Sequence, residues 1–403
     1  MRILQVISQL SDFMGDSGQV LHFAKNFQNK GHEVTIITTD GDPFFNNPEN
    51  SERYQKTRNK FLENQGKKIE VNGIPIIPIH CTMPKLGMYS PDASKFAKKM
   101  IREYDVIHIY SWYHHLGIVF AKQTLRFKKP LFVSFWGTLQ PEAQKYHKLL
   151  KSTIDIFYTQ KIIHNATGLH SIGISETDIY LKRGANKNKI YHIDNGIVLS
   201  DFQIKKQSTI FKKLNIDKSK KLLLFLGKIH EKKGIELFLE AAKKLHKTFD
   251  NFNIIIAGSG EEKYVLKIKK YVKDFDLEKF VKFSGFVSHE DKLELLKNST
   301  IFFLTSLSDI HPRAVQEALT MGLPVLITKN CDYPEIEQYK CGKIVSANVQ
   351  SVYDGLNEMI NQSDLNDFSN NAKKLILDKF QMDVQIKKFE LMYQKSMNHF
   401  SED

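Results

Sequence analysis

The sequence predicts an α/β protein built from two Rossmann-like β/α/β domains that face each other across a cleft. Short apolar runs, typical of buried parallel strands, alternate with helical patterns along the whole chain. The alternation restarts near residue 220, after a polar stretch at 199–219. The length of 403 residues also suits two domains.

In the first half, each strand pattern is separated from the next by a helix or a loop. Apolar runs predict strands at "RILQVIS", "HEVTIITT", "YDVIHIY" and "PLFVSFWG". A helix is expected near residues 19–30, ended by Gly31, and another follows "YDVIHIY". The polar segment 46–68 predicts a long loop.

The second half repeats this pattern. Strands are predicted at "KKLLLFLGKI", "NFNIIIAGSG", "VKFSGF", "TIFFLTS" and "PVLIT", with helices between them. We therefore expect an N-terminal domain of residues 1–199 and a C-terminal domain of residues 200–383. A C-terminal helix of about residues 384–403 could join the first domain.

Composition favours a cytoplasmic protein. Hydrophobic residues make up 41% and charged residues 26%, as in globular proteins. No apolar run approaches the ~20 residues that cross a bilayer, and the N-terminus reads as a strand rather than a signal peptide. Three scattered cysteines argue against a disulfide framework or a zinc site.

The formal net charge is +13, and nine of these charges lie in residues 1–200. Such an excess suits anionic membranes, nucleic acids or phosphorylated ligands, or it serves solubility alone. No nucleic-acid-binding motif is present, so we expect no nucleic-acid partner. The basic stretches 92–104 and 119–130 are candidates for peripheral binding at the inner membrane face, or are ordinary helices with solvated lysines.

Ligands of open α/β sheets bind beyond the carboxyl ends of the strands, where this chain places charge and glycine. In "LGKIHEKKG", Lys228 and Lys233 flank a loop that opens a helix, an arrangement that suits a pair of phosphates. A solvated basic loop is the alternative. Gly258 and Gly260 form a similar turn after the next strand, where backbone can approach a ligand.

The stretch "SDIHPRAVQEALTMGLPVLIT" places two acids around a helix that starts near Pro312. Asp309 precedes the helix and Glu317 lies about one turn inside it. Carboxylates accept hydrogen bonds from vicinal hydroxyls, so this spacing suits an elongated polyol-bearing ligand. The alternative is a helix-dipole acid followed by a surface glutamate.

This stretch resembles the acid-seven-residues-acid motif of the retaining GT-B glycosyltransferases, specifically glycosyltransferase family 4. The resemblance spans nearly the whole chain. The other segments that carry it are "GDSGQVLHFAKNFQNKGHEVTIITTD", "IGISETDIYLKRGANKNKIYHIDNGI", "LGKIHEKKG" and "IIIAGSGEE". Four residues depart from the family pattern: Asp309 replaces the usual glutamate, Lys228 an arginine, Trp136 a histidine and Asp16 a glycine.

The resemblance implies an acceptor-binding first domain and a second domain that binds a UDP- or GDP-linked sugar. Lys228 and Lys233 would grip the diphosphate, while Glu317 would hold the ribose and Asp309 the transferred sugar. The other donor-binding residues would be Gly15, Ser17, Gly18, Gly227, Gly258, Gly260, Phe286, Val287, His311, Arg313 and Ala314.

Such an enzyme would transfer a sugar, with retention, to a saccharide or lipid-linked acceptor in cell-surface polysaccharide or glycolipid biosynthesis. It would need no cofactor and no metal; we interpret "TDGD", Asp40 to Asp42, as a turn rather than a metal site. Acceptor contacts are expected from Trp112, His114 and Trp136, although a packed aromatic loop explains the first two equally well. A nucleotide-sugar epimerase, a phosphorylase of the same fold and a non-catalytic basic binding protein stay open as alternatives.

Overall fold

A computed structural model describes residues 1–10, 15–41, 57–83, 87–145, 147–362 and 364–400. The chain forms two compact units. The first unit comprises Met1–Gly196 with Met382–Asp403, and the second comprises Ile197–Gln381. These bounds fall slightly before the predicted ones at 199/200 and 383/384.

The first unit contains an eight-stranded sheet in the order β3-β4-β2-β1-β5-β6-β7-β8. All neighbouring strands are parallel except β3 and β4, which form an antiparallel hairpin. The strands are β1 (Arg2–Ile7), β2 (Glu33–Thr39), β3 (Ile69–Val71), β4 (Ile74–Ile79), β5 (Val106–Tyr110), β6 (Leu131–Ser134), β7 (Gly168–Ser171) and β8 (Ile190–His192).

The helices of the first unit cover this sheet, whose central strands are mostly apolar and are buried apart from Arg2. They are α1 (Gly15–Asn29), α2 (57–63), α3 (Ala93–Met100), α4 (His115–Arg126), α5 (Pro141–Gln144), α6 (Lys148–Ile154), α7 (Gln160–Asn165) and α8 (Ile174–Lys182). Helix α2 lies where we predicted only a loop, and the burial of its Phe61, which is 2% exposed, anchors it to the unit.

The second unit contains a six-stranded, fully parallel sheet in the order β11-β10-β9-β12-β13-β14. Its strands are β9 (Lys221–Leu226), β10 (Phe252–Ala257), β11 (Val281–Gly285), β12 (Ile301–Leu304), β13 (Val325–Thr328) and β14 (Gly342–Val345). Its helices are α9 (Ile210–Lys213), α10 (Ile235–His246), α11 (Glu262–Asp274), α12 (His289–Asn298), α13 (Arg313–Thr320), α14 (Glu335–Gln338), α15 (Val349–Ile360) and α16 (Asn366–Leu375).

The last helix, α17 (Met382–Phe400), returns to the first unit and completes its core. Phe389 packs edge-to-face on Phe23, with ring centroids 4.9 Å apart, and Tyr393 packs in the same way on Phe132 at 4.8 Å. These four rings are all buried, so the core of the first unit depends on a helix that begins almost 200 residues after the unit's last strand, β8.

A buried chain of hydrogen bonds runs through this core and fixes the protonation of two histidines. The Ile193 carbonyl can only accept, so His170 donates to it from Nε2 (2.7 Å) and accepts at Nδ1 from Ser134 Oγ (2.6 Å). Ser134 Oγ in turn accepts from His108 Nε2 (2.7 Å), which leaves His108 Nδ1 to accept from the Tyr393 hydroxyl (2.6 Å). Both imidazoles are neutral in this arrangement.

Among the helices that the structure describes, none has both the length and the apolarity required to cross a bilayer.

Candidate active site

Three loops at the carboxyl edge of the second sheet are held together by glycine backbone. Gly227, after β9, donates to the Ala257 carbonyl (3.0 Å), and Gly258, after β10, donates to the Gly285 carbonyl (2.8 Å). A Cβ on Gly258 would lie 1.8 Å from the Gly227 oxygen, and one on Gly260 would lie 2.1 Å from the Ile229 oxygen. The close approach of these backbones therefore requires glycine at 258 and 260. That Gly258 and Gly260 also contact the sugar donor stays a prediction.

The lysine loop predicted after β9 is a 3-10 turn, Glu231–Lys233, that leads into α10. Gly234 closes the turn in the left-handed conformation (φ 59°), and a Cβ there would lie 2.1 Å from the Thr305 carbonyl oxygen. Partial burial and the charge of Lys232 lower the pKa of Lys228, and Glu261 opposes them. Two ammonium groups, those of Lys228 and Lys232, thus act on each other in this loop, an arrangement that suits an anionic ligand.

Lys233, the second of the two lysines predicted to grip the diphosphate, forms an ion pair with an acid. Its ammonium donates to the carboxylate of Asp309, and the two side chains are only 16% and 15% exposed. Asp309 is held in turn by its own backbone N–H, which donates to the Asn330 carbonyl (2.9 Å). The structure thus pairs two residues to which the sequence assigned different parts of a ligand.

Glu317 is a buried, ionised carboxylate rather than a surface glutamate. It is 8% exposed, and its Oε1 accepts from Lys292 Nζ (2.9 Å) and from Arg313 Nε (3.3 Å). Burial alone would favour the neutral acid, but the Lys292 and Arg313 charges outweigh it and hold the pKa of Glu317 below its ordinary value. Lys292 was missed by sequence reasoning because no pattern in α12 marks it.

Helix α13 starts one residue later than predicted. Pro312 flanks the helix and its carbonyl accepts from the Val315 N–H (3.0 Å), so Arg313 and Ala314 are the first helical residues. The Arg313 side chain turns back onto Glu317, one turn along the helix. Asp309 thus precedes α13 in the chain, and Glu317 lies one turn inside the helix.

His311, a predicted donor-binding residue, is a buried and conformationally strained position. Its backbone is left-handed (φ 44°), its side chain is 2% exposed, and its ring stacks on Tyr333 at 4.1 Å. Its Nε2 lies 3.7 Å from the Glu335 carboxylate. Strained backbone of this kind persists where the surroundings enforce it and is common at functional sites.

The predicted base-facing residues follow β11. Phe286 is 46% exposed and comes directly after the left-handed Gly285 (φ 66°), whereas Val287 is buried. An exposed aromatic ring at the carboxyl edge of a parallel sheet is a suitable surface for stacking a planar group.

In the first unit, Gly15, Ser17 and Gly18 occupy the first turn of α1, which follows β1. Trp112, expected to touch the acceptor, lies in the hydrophobic core at 2% exposure, and its Nε1 donates to Thr159 Oγ1 (2.8 Å). This burial favours the packing alternative for Trp112.

The other two predicted acceptor residues are less enclosed. His114 immediately precedes α4, and burial together with the Lys151 charge lowers its pKa to about 4. Trp136 has left-handed backbone (φ 49°), its ring lies 5.0 Å from that of Tyr110, and its Nε1 is buried without a hydrogen-bond partner in the described part of the chain. A buried indole N–H of this kind is a candidate donor to a ligand.

Sequence reasoning also overlooked Glu176, which is 1% exposed. Its carboxylate accepts from the backbone N–H groups of Gly137 (2.7 Å) and Ile172 (3.0 Å). Glu176 therefore fixes the turn that presents Trp136.

The structure describes the "TDGD" segment only as far as Gly41, so its interpretation as a turn stays a prediction. Asp40 is 4% exposed and accepts from the Cys81 N–H (2.8 Å), with His80 Nδ1 3.1 Å away. Asp42 lies outside the described residues. Within the described ranges, no group of three or more His, Cys, Asp or Glu side chains is arranged to hold a metal.

Comparison with known families matches both halves of the chain. Residues 17–201 match the family described as "Glycosyltransferase Family 4", and residues 206–375 match "Glycosyl transferases group 1". An uncharacterized glycosyltransferase of Methanocaldococcus jannaschii, MJ1607, is 22% identical over 93% of this chain and 92% of its own length. The amylovoran biosynthesis glycosyltransferase AmsK of Erwinia amylovora is 30% identical over 39% of this chain and 38% of its own length.

Solved structures resemble the whole chain. The crystal structure of Anabaena Alr3699/HepE in complex with UDP and glucose has a TM-score of 0.74 at 16% identity, covering 98% of this chain and 100% of that one. Sucrose-phosphate synthase from Thermosynechococcus elongatus has a TM-score of 0.73 at 15% identity, covering 99% of both chains. At these identities the likeness establishes the fold.

Proposed function

This chain is a glycosyltransferase with the GT-B fold whose two halves match the glycosyltransferase family 4 and group 1 models, and from this premise we propose that it is a family 4 enzyme with a nucleotide-sugar donor. The UDP and glucose bound by HepE and the UDP-2-fluoro glucose bound by the E. coli trehalose-6-phosphate protein support this choice. We propose a UDP- or GDP-linked sugar, transferred with retention to a saccharide or lipid-linked acceptor.

The observation that carries the proposal is the pair of carboxylates around the start of α13, of which Glu317 is buried and Asp309 is 15% exposed. Each one is neutralised by its own cation, Asp309 by Lys233 and Glu317 by Lys292 with the help of Arg313. Ionised carboxylates in such a setting accept hydrogen bonds from hydroxyl pairs, so Glu317 would bind the ribose and Asp309 the transferred sugar.

The positive charge beside these acids would act on the leaving group. Lys228 and Lys233 lie on the loop after β9, and the diphosphate would displace Asp309 as the partner of Lys233. In the transfer, the bond from the anomeric carbon to the diphosphate oxygen breaks as the acceptor oxygen forms its bond on the same face. The acceptor proton passes to the departing phosphate oxygen, so stabilisation of that oxygen by the lysines is the main catalytic contribution.

This scheme requires neither a metal nor a cofactor, because the two lysines provide the charge that a divalent cation would otherwise supply. We propose that the reaction belongs to cell-surface polysaccharide or glycolipid synthesis in the cytoplasm, at the inner membrane face. The name of the amylovoran relative AmsK supports the polysaccharide class.

Thermal stabilisation by a panel of UDP- and GDP-sugars tests the donor assignment. We expect one nucleotide-sugar to raise the melting temperature of the wild-type protein and to be turned over with a retained anomeric configuration. Glu317→Gln should abolish the shift and the turnover, whereas Glu290→Gln, at an exposed position of α12, should leave both unchanged. A protein that no nucleotide-sugar stabilises, or a Glu317→Gln variant with wild-type turnover, would contradict the proposal.

A further inference from the structure

The first unit contains a helical segment that is anchored on one side and apolar on the other. Helices α6 and α7 are joined by a π-helical turn, Asp155–Thr159, so that residues 148–165 run as one segment. Ile154, Ile162 and Ile163 enter the hydrophobic core, and Thr159 accepts the hydrogen bond from Trp112. The segment is therefore a fixed part of the unit.

The opposite side of this segment exposes large apolar side chains. Leu149 is 87% exposed, Ile156 74%, Phe157 65% and Leu150 38%. Their i, i+1, i+7, i+8 spacing places them along one helical face, which we call the apolar stripe. Single exposed apolar residues are common, but a row of them on one face marks an interaction surface.

Basic residues border the apolar stripe. Residues 148–161 contain Lys148, Lys151 and Lys161 against one acid, Asp155. The Asp155 carboxylate is neutralised by Arg183 (2.9 Å) and also accepts from the Tyr113 hydroxyl (2.7 Å). The segment consequently presents a net positive charge around protruding apolar side chains.

From this arrangement we propose that the apolar stripe docks the protein on an anionic lipid surface. An exposed apolar helical face bordered by lysines is the pattern of helices that lie in the headgroup region of anionic membranes. Lys148 and Lys161 would meet the anionic headgroups, and nine of the thirteen net positive charges of the chain lie in its first 200 residues.

The sequence directed attention to two other stretches, 92–104 and 119–130. Both lie within the described residues, and neither exposes a large apolar side chain. Helix α3 buries Ala93, Ala97 and Met100 and leaves its lysines toward solvent. Charge without an exposed apolar face gives only weak surface attraction, so the apolar stripe is the better docking surface.

Co-sedimentation with vesicles tests this inference on the whole protein without any donor. Wild-type protein should bind vesicles that contain phosphatidylglycerol, bind phosphatidylcholine vesicles far less, and be released by high salt. The triple variant Leu149→Gln, Ile156→Gln, Phe157→Gln should lose at least about tenfold in partitioning for each side chain that inserts. Leu266→Gln, which removes a 57% exposed leucine from the second unit, is the matched control and should bind normally.

A second pair of variants separates the two candidate surfaces. Lys148→Ser with Lys161→Ser should weaken binding to anionic vesicles, whereas Lys98→Ser with Lys99→Ser on α3 should not.

The inference fails if the wild type ignores anionic vesicles or if the triple variant still binds them. It also fails if light scattering shows a dimer that the triple substitution dissociates without any lipid binding, because the apolar stripe would then face a second copy. Melting temperature and donor-induced stabilisation of the triple variant should stay at wild-type values, so that loss of docking is distinguishable from failure of the proposed transfer.

Discussion

The neutral histidine pair in the core of the first unit makes that unit sensitive to acid. Burial and the nearby His192 charge hold the pKa of His170 at about 4, against an ordinary value of 6.5, while its bond to Ile193 and the charge of Asp194 oppose them. Burial, with the neighbouring His170, also lowers the pKa of His108. Below pH 6.5 the unfolded chain therefore takes up protons that the folded unit does not, and stability falls as pH falls.

The size of the effect follows from the His170 pKa alone. Each pH unit between the two pKa values costs about 1.4 kcal/mol per histidine. Lowering the pH from about 7 to about 5 should therefore remove about 2 kcal/mol of stability through His170, with a further loss in the same direction from His108.

Urea unfolding followed by tryptophan fluorescence measures this loss in the first unit, because both tryptophans of the chain, Trp112 and Trp136, lie there. His170→Gln keeps a donor for the Ile193 carbonyl and removes the titrating group, so its stability should drop by about 2 kcal/mol less over the same pH interval. His164→Gln, at an exposed position of α7, should behave like the wild type. Equal pH dependence of the wild type and His170→Gln would refute the reasoning.

Three further predictions concern single contacts. Lys292→Met removes the 2.9 Å partner of Glu317, so the pKa of Glu317 should rise and calorimetry should show the second unit destabilised by about 1–3 kcal/mol; an unaltered melting curve would contradict this. Gly258→Ala places a Cβ 1.8 Å from a backbone oxygen and should destabilise the second unit by more than 2 kcal/mol. The control Gly285→Ala, whose Cβ meets nothing within 4 Å, should cost only the ~1 kcal/mol of left-handed backbone strain. Equal destabilisation by the two variants would exclude the clash at Gly258. Tyr393→Phe removes the hydroxyl at the end of the buried hydrogen-bond chain and should destabilise the first unit by about 1–2 kcal/mol, measured by tryptophan fluorescence.

Strong local patterns were read correctly from the sequence, and weak ones were missed. The strands "KKLLLFLGKI" and "NFNIIIAGSG" are continuous apolar runs, and the structure forms β9 and β10 within them. The hairpin β3–β4 was not anticipated, since β4 contains two prolines that disfavour a strand by propensity alone. The tertiary pairing of β4 with β2 outweighs that preference.

Side-chain surroundings were harder to anticipate than strands. The sequence of an aromatic loop such as "YSWYHHLG" does not show whether its tryptophan is exposed to solvent or packed in the core. In the structure Trp112 is buried. The exposed Leu149 and Ile156 were missed for the converse reason: nothing in an apolar helical pattern states which of its faces the rest of the unit will cover.

The sequence by itself determined the two parallel-sheet units, the turns after their strands and the spacing of Asp309 and Glu317. These features depend on local periodicity and backbone chemistry, which adjacent residues specify. Only the tertiary structure decided the partners of those acids. Lys233 lies 76 residues before Asp309 and Lys292 lies 25 before Glu317. Such pairs form because a parallel sheet gathers the carboxyl ends of distant strands at one edge, and no local pattern encodes which side chains meet there.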